Sequence, residues 1–266
     1  MSCRRSSGVR NVHLIKCADL AHFIFLKDDA IMDKNIFEKG IEALSGTVSE
    51  KQVGQFAEYS RLLVEWNEKM NLTALTAPED ISVKHFLDSI LPLYHIDFGD
   101  CTSVADIGTG AGFPGIPIKI MLPDVKLTLV DSLNKRVGFL STVCNEIGLE
   151  NTECIHARAE DLGKTPQYRE KFDAVLSRAV ANMKVLCEYC LPFVKVGGMF
   201  VALKAENSTA ELDEARAMIG TLGGRVEKVI SAPLPMSDMT RELIVIRKIA
   251  ETPTKFPRRA DKIKKS

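Results

Sequence analysis

The chain has 266 residues, of which 45% are hydrophobic and 26% are charged, and its formal net charge is zero. This composition is typical of a globular protein with a sizeable core, and the balanced charge excludes nucleic-acid binding by overall basicity. The odd cysteine number, seven, indicates no disulfide framework and suits the reducing cytoplasm. The CxxC formed by Cys187 and Cys190 lacks further zinc ligands, so we expect no metal. No apolar run reaches the roughly 18 residues of a membrane span, so we expect no membrane partner.

Residues 1–31 carry early arginines and only a short apolar run, which does not fit a signal peptide. We interpret this segment as a disordered leader or a mis-set start, a hypothesis that the intact mass of the native protein tests. Residues 32–97 are predicted to form a helical region, because apolar residues between Val53 and Met70 recur at helical spacing. Ser49 and Gln52 form a capping box before this run.

Between residues 98 and 250, short apolar strands alternate with helical segments. This alternation predicts an α/β domain with a parallel, Rossmann-like sheet covered by helices on both faces. The last two strand-like runs, 224–234 and 241–249, are joined by a short link and should pair antiparallel. The tail, 251–266, is basic, and we expect it to be mobile.

The stretch VADIGTGAGFPGIP at 104–117 places a glycine-rich loop directly after the first strand. Gly108 and Gly110 allow the backbone to approach a ligand closely. A GxGxxG pattern is also present, so a nicotinamide dinucleotide remains an alternative. However, Asp106 would repel a pyrophosphate, and Pro114 and Pro117 remove N–H donors that would cradle phosphate.

S-adenosylmethionine combines adenosine, a ribose diol and a positive centre, and it fits this pattern better. Asp131 ends the second strand and can accept hydrogen bonds from the ribose hydroxyls, while Asp106 favours the cationic end. The segment ARAED follows the third strand, where Ala159, Glu160 or Asp161 can contact adenine. Each acid alone is equally consistent with an ordinary solvated strand end.

Six segments occur in an order that resembles a known family: NLTALT, HFLDSI, ADIGTGAGFPGIPIKI, LVDSLNKRVGFL, SRAVA and ALKA. They resemble the bacterial ribosomal RNA small subunit methyltransferase G family, also called glucose-inhibited division protein B, between about residues 35 and 249. The resemblance implies a class I S-adenosylmethionine-dependent methyltransferase fold. It implies methyl transfer to N7 of a guanine in the 530 loop of 16S rRNA, as naked rRNA or in the 30S subunit.

By position, the resemblance implies cofactor contacts at five residues: Gly108, Phe113, Ala159, Glu160 and Arg178. Phe113 stands where the family often has leucine, so an apolar contact is retained. Ala111 stands where proline is frequent, which is a mild departure. The leader and the basic tail lie outside the resemblance.

Guanine N7 has a free lone pair, so an enzyme acting on it needs alignment and electrostatic fit rather than a general base. We therefore assign no catalytic base and name substrate-positioning candidates: Asn71, His85, Arg158 and Lys204. Arg158 and Arg178 can hold phosphate or guanine O6, or can form salt bridges. Lys135 and Arg136 can contact RNA or solvent. His85 can instead be a structural partner of Asp88, three residues on.

Three alternatives from other functional classes remain open at this stage. An oxidoreductase using NAD would need a proton donor arrangement that the sequence does not display. A non-catalytic RNA-binding module would bind RNA and ignore the cofactor. A methyltransferase could also act on another RNA, or on a small molecule, in which case it would methylate free metabolites without RNA. We expect the protein to be a monomer.

Overall fold

The structure is a computed structural model that describes residues 32–178 and 181–263. The predicted leader, 1–31, therefore lies outside the described residues. The predicted helical region begins with α1 (Lys34–Ala43) and α2 (Glu50–Met70). Four short helical segments follow: α3 (Pro78–Asp80), the π-helix (Ile81–Leu87), α4 (Asp88–Ile90) and α5 (Pro92–His95). The capping box of Ser49 and Gln52 is confirmed at the start of α2.

Seven strands form one sheet: β1 (Ser103–Ile107), β2 (Lys126–Asp131), β3 (Thr152–His156), β4 (Phe172–Arg178), β5 (Val194–Ala205), β6 (Gly224–Pro233) and β7 (Thr240–Lys248). Their order is β3-β2-β1-β4-β5-β7-β6. The first five strands are parallel, and β7 runs antiparallel to both of its neighbours. The predicted parallel sheet with a final antiparallel pair is confirmed.

Helices cover this sheet on both faces. They are α6 (Gly115–Met121), α7 (Asn134–Glu146), α8 (Ala159–Leu162), α9 (Met183–Cys190), α10 (Thr209–Thr221) and α11 (Ala260–Ile263), with a 3-10 turn at Leu191–Phe193. Alternate residues of a strand point to opposite faces, so Leu129 packs into one core and Val130 into the other.

The N-terminal helices share one of these cores with the sheet. Phe56 lies between Phe37 and Phe86, with ring centroids 4.7 and 4.9 Å away. These rings belong to the same buried cluster as Leu129 of β2. The helices are therefore packed onto the sheet rather than tethered beside it.

The strand order reverses between β1 and β4, because the chain moves outward through β2 and β3 before it returns to β4. In open α/β sheets, ligands bind in the crevice at such a switch point, outside the carboxyl ends of the strands. The loop that follows β1 is therefore placed where a ligand is expected.

The C-terminal segment differs from the expected mobile tail, because residues 251–263 are docked. Arg169 donates hydrogen bonds to the carbonyls of Thr252 and Phe256, at 2.6 and 2.8 Å. Phe256 and Ile263 are buried, and Arg258 forms a 2.7 Å ion pair with buried Glu188. The composition shows the charges of this segment, but it does not show the backbone acceptors and side chains that hold it.

We predict that Phe56→Ala lowers the free energy of unfolding by about 3–5 kcal/mol, because it leaves a cavity among buried aromatic rings. Urea unfolding of the purified variant measures this loss. Val229→Ala is the control, because Val229 is 46% exposed on β6. Similar losses in the two variants would contradict the packing of α2 onto the sheet core.

Candidate functional site

A cavity of about 530 Å³ opens at the carboxyl ends of β1, β2, β3 and β4. Its volume lies within the range usual for small-molecule sites. It is lined by all five residues that the resemblance implies and by two further candidates: Gly108, Phe113, Ala159, Glu160, Arg178, Gly110 and Asp131. The sheet thus brings together residues that are as many as 70 positions apart in the chain, the separation of Gly108 from Arg178.

The glycines of the loop differ in what surrounds them. Gly110 has a φ of +63°, and a Cβ added there would meet no protein atom within 4 Å. Gly112 has a φ of +100°, and a Cβ there would lie 2.6 Å from the Tyr59 hydroxyl and from Ile116. Gly112 is therefore needed for packing, whereas Gly110 leaves open space on the cavity side of the loop.

Asp106 is fully buried behind the loop and does not line the cavity. Its Oδ2 accepts hydrogen bonds from Thr109 Oγ1 at 2.7 Å and from the Gly115 amide at 2.8 Å. Its Oδ1 has no hydrogen-bond partner among the described residues. Burial raises the pKa of this carboxyl to about 6. Asp106 therefore fixes the conformation of the loop through Oδ2, while its Oδ1 accepts no hydrogen bond from the described residues.

Asp131 lies at the end of β2 and lines the cavity. Its Oδ2 accepts a hydrogen bond from the Gly110 amide at 3.0 Å, and its Oδ1 accepts one from the Leu133 amide at 2.8 Å. Arg136 Nη1 lies 3.5 Å from Oδ2. Each carboxylate oxygen has two lone pairs, so both oxygens can accept a further hydrogen bond from a ligand hydroxyl.

One wall of the cavity is formed by the start of α8 and by α9. Ala159 and Glu160 come from α8, and Leu186 and Tyr189 come from α9. Arg158 lies at the rim, 67% exposed and 3.9 Å from Glu160. Sequence reasoning missed Leu186 and Tyr189, because their spacing in an apolar helix also fits an ordinary core face.

Phe113 also lines the cavity, and three side chains lie within 5.4 Å of its ring centroid. The His85 ring stacks on it at 4.7 Å and 10°, and the Tyr59 ring lies 5.4 Å away. The Arg178 guanidinium carbon lies 4.9 Å from the ring centroid. A cation over an aromatic ring in a partly desolvated site is held by the quadrupole of the ring.

His85 lines the cavity as a neutral side chain. Its Nε2 lies 3.1 Å from the Leu75 carbonyl, which can only accept, so Nε2 carries the proton. The same nitrogen lies 3.0 Å from Thr73 Oγ1, and Thr73 also lines the cavity. Burial, with a smaller contribution from Arg178, lowers the pKa of His85 to about 4. The signal for Thr73 was its place in the NLTALT segment, but sequence reasoning chose Asn71.

The pairing of His85 with Asp88 that was considered as an alternative is absent. Asp88 Oδ2 instead lies 3.0 Å from Arg178 Nη1, and Asp88 Oδ1 lies 2.7 Å from Arg241 Nε. Asp88 directly follows the π-helix. A π-helix has more residues per turn than an α-helix, so two residues three positions apart do not lie on the same face.

Two substrate-positioning candidates do not reach the cavity lining. Asn71 is an exposed C-cap of α2 with a φ of +48°, and its neighbour Leu72 lines the cavity instead. Lys204 Nζ donates to the Ala181 carbonyl at 2.9 Å and pairs with Glu211 at 2.7 Å. These contacts hold the Lys204 ammonium away from the cavity. Of the two α7 candidates, Arg136 lines the cavity and Lys135 does not.

Cys187 and Cys190 are fully buried in α9, and burial raises the pKa of both thiols above their ordinary value. Within residues 32–178 and 181–263, no group of three or more His, Cys, Asp or Glu side chains is arranged to hold a metal ion. In the same ranges, no helix has the length and apolar character to cross a membrane.

The chain is similar to known proteins over most of its length. The family model described as rRNA small subunit methyltransferase G matches residues 52–241. The chain is 48% identical to a "Ribosomal RNA small subunit methyltransferase G" of Alkaliphilus oremlandii over 86% of this chain and 96% of the relative. It is 49% identical to the protein of the same name from Brevibacillus brevis, again over 86% of this chain and 96% of the relative.

Among solved structures, the fold is similar to a SAM dependent methyltransferase from Aquifex aeolicus. The match covers 66% of this chain and 96% of that chain, with 16% identity and a TM-score of 0.49.

We predict that Gly112→Ala lowers the free energy of unfolding by roughly 3 kcal/mol, because it adds overpacking against Tyr59 to backbone strain. Gly110→Ala is the matched control and should cost only about 1 kcal/mol, the strain of a left-handed alanine in open space. Urea unfolding of both variants tests this difference. Equal losses, or a larger loss at Gly110, would contradict the loop geometry.

Proposed function

Because the chain belongs to the rRNA small subunit methyltransferase G family, we propose that it methylates N7 of a guanine in the 530 loop of 16S rRNA, with S-adenosylmethionine as methyl donor. The observation that carries this proposal is the cavity at the switch point of the sheet. It combines a glycine loop, a carboxylate at the end of β2 and a mixed apolar and acidic wall.

The described residues fit S-adenosylmethionine. Asp131 offers free lone pairs to the two ribose hydroxyls. Ala159, Glu160, Leu186 and Tyr189 offer an apolar wall with an acceptor for the adenine amine. When bound, the cofactor supplies an electrophilic methyl group on a positively charged sulfur. The negative charges of Asp131 and Glu160 favour a cationic ligand.

Orientation of the base, rather than proton removal, is the task left to the protein. Guanine N7 attacks with its own lone pair, so no side chain has to remove a proton before transfer. His85 is neutral and therefore adds no positive charge that would oppose the cationic cofactor. Arg178, Arg158 and Arg136 lie on the cavity lining and can hold guanine O6 or backbone phosphates of the RNA.

The proposed substrate also implies where in the cell the protein acts. A 16S rRNA substrate, as naked rRNA or in the 30S subunit, puts the enzyme in the bacterial cytoplasm, where we propose that it acts as a monomer. The exposed guanidinium of Arg158 at the rim supports contact with a polyanion. The oxidoreductase alternative lacks support, because the family is a methyltransferase family.

The proposed function predicts that labelled methyl from S-adenosylmethionine is transferred to 30S subunits that lack this modification. Mapping of the product should show a single N7-methylguanosine in the 530 loop. Free 16S rRNA and a nucleoside mixture serve as parallel substrates. Transfer to free nucleosides alone would favour a small-molecule methyltransferase, and RNA binding without cofactor binding would favour a non-catalytic module.

We predict that Asp131→Ala weakens S-adenosylhomocysteine binding by about tenfold or more, because a hydrogen bond to a charged group contributes roughly 1.5–3 kcal/mol. Titration calorimetry measures the affinity. Asp124→Ala is the matched control, since Asp124 is exposed and lies before β2, at the opposite edge of the sheet. Equal affinities for the two variants would contradict the assignment of the ribose site to Asp131.

The pH dependence of cofactor affinity follows from Asp106, whose pKa is raised by burial to about 6. A raised carboxyl pKa means that the protonated form stabilises the fold at low pH and that this contribution is lost as pH rises through about 6. A cationic cofactor favours the ionised form, so its affinity should rise between pH 5 and pH 7. Asp106→Asn should flatten this rise when the affinity for S-adenosylmethionine is measured by calorimetry across this pH range. An unchanged slope in that variant would show that another group titrates.

A further inference from the structure

Asp88 lies between two guanidinium groups beside the cavity. It is 2% exposed, and its two oxygens face Arg178 of β4 and Arg241 of β7. Arg241 holds it in a two-point contact, with Nε 2.7 Å from Oδ1 and Nη2 3.4 Å from Oδ2. The cluster therefore joins the end of the π-helix to two separate strands of the sheet.

Arg178 uses only one nitrogen in this cluster. Its Nη1 lies 3.0 Å from Asp88 Oδ2, 3.2 Å from the Lys84 carbonyl and 3.3 Å from Ser89 Oγ. Its Nε and Nη2 make no hydrogen bond to any part of the chain that the structure describes. The guanidinium also packs on Phe113 and lines the cavity. The side-on pair of donors, Nε and Nη2, is thus left without a protein acceptor.

Arg241 explains why this pair is left free. A carboxylate beside an arginine ordinarily accepts two parallel N–H bonds from its side-on fork. Here the fork of Arg241 lies across both oxygens of Asp88, and Arg178 contacts only Oδ2, through Nη1. Removal of Arg241 therefore leaves Asp88 Oδ1 available as a second acceptor for the guanidinium of Arg178.

We propose that Arg241 is a positioning residue. By contacting both carboxylate oxygens of Asp88, it keeps the Nε and Nη2 fork of Arg178 free to bind an oxyanion in the cavity. This inference rests on the proposed function. The fork matches the planar geometry of a carboxylate and the oxygen pair of a phosphate. Two sources supply such a group at this site, the carboxylate of the cofactor and a phosphate of the RNA.

Arg241→Met is the variant that tests the inference, and Arg247→Met is its control. Arg247 lies on the same strand, and its Nε forms a 2.6 Å ion pair with Glu227 of β6. Binding is measured for S-adenosylhomocysteine, which has the carboxylate, and for 5′-methylthioadenosine, which lacks it. Methyl transfer to 30S subunits gives the KM for RNA and kcat.

We expect Arg241→Met to weaken the binding of only one of the two groups, either the carboxylate of the cofactor or a phosphate of the RNA. If the fork holds the cofactor, S-adenosylhomocysteine binding weakens about tenfold or more while 5′-methylthioadenosine binding changes by less than about twofold. If the fork holds RNA, both affinities stay and the KM for 30S subunits rises by about tenfold with kcat largely kept. Either selective result supports the inference.

The inference is overturned if Arg241→Met matches Arg247→Met in all three measurements, or if it weakens both adenosine ligands equally. Should Arg241→Met fail to fold, Arg241→Lys replaces it, because lysine keeps the charge but cannot hold two carboxylate oxygens with a fork. The same selective loss is expected. Wild-type protein that binds no S-adenosylhomocysteine contradicts the proposed function itself, whereas normal wild-type binding with an unselective variant contradicts only the role of Arg241.

Discussion

The ion pair between Arg178 and Asp88 is the contact on which the rest of the site depends. It connects the last residue of β4 to the residue that follows the π-helix, and both side chains are largely buried. A buried ion pair contributes little net stability, but loss of one partner leaves an uncompensated charge and is costly. Together with the shared hydrophobic core, the pair fixes where the N-terminal helices lie on the sheet. That placement brings His85 and Thr73 to the cavity.

The same helices also hold the glycine-rich loop that follows β1. Tyr59 of α2 donates a hydrogen bond to the Ala111 carbonyl, and its ring packs against Phe113. On the sheet side, Asp106 binds the Gly115 amide. The loop is thus held between two layers while Gly110 stays open to the cavity. A loop fixed in this way loses little conformational entropy when a ligand binds, which favours affinity.

Much of this arrangement follows from the sequence for physical reasons. Alternation of apolar strands and helices specifies a parallel sheet, and parallel strands place all their carboxyl ends at one edge, where Gly108, Asp131 and Arg178 meet. The partner of Asp88 could not be predicted, because the π-helix before it turns the Asp88 side chain to a different face from the one that α-helical spacing predicts. The contacts of Lys204 could not be predicted for a similar reason, since its partner Glu211 comes from a helix whose docking the sequence does not display. Docking of the tail depends on carbonyl acceptors near Arg169, which composition does not reveal.

A structure determined with S-adenosylhomocysteine bound would show directly whether this cavity is the methyl-donor site. We expect both ribose hydroxyls within hydrogen-bond distance of Asp131, and adenine between Ala159 and Tyr189. We also expect the amino-acid end to lie toward Phe113 and Arg178. A ligand bound elsewhere, or a ribose that does not contact Asp131, would contradict the assignment of this cavity as the methyl-donor site.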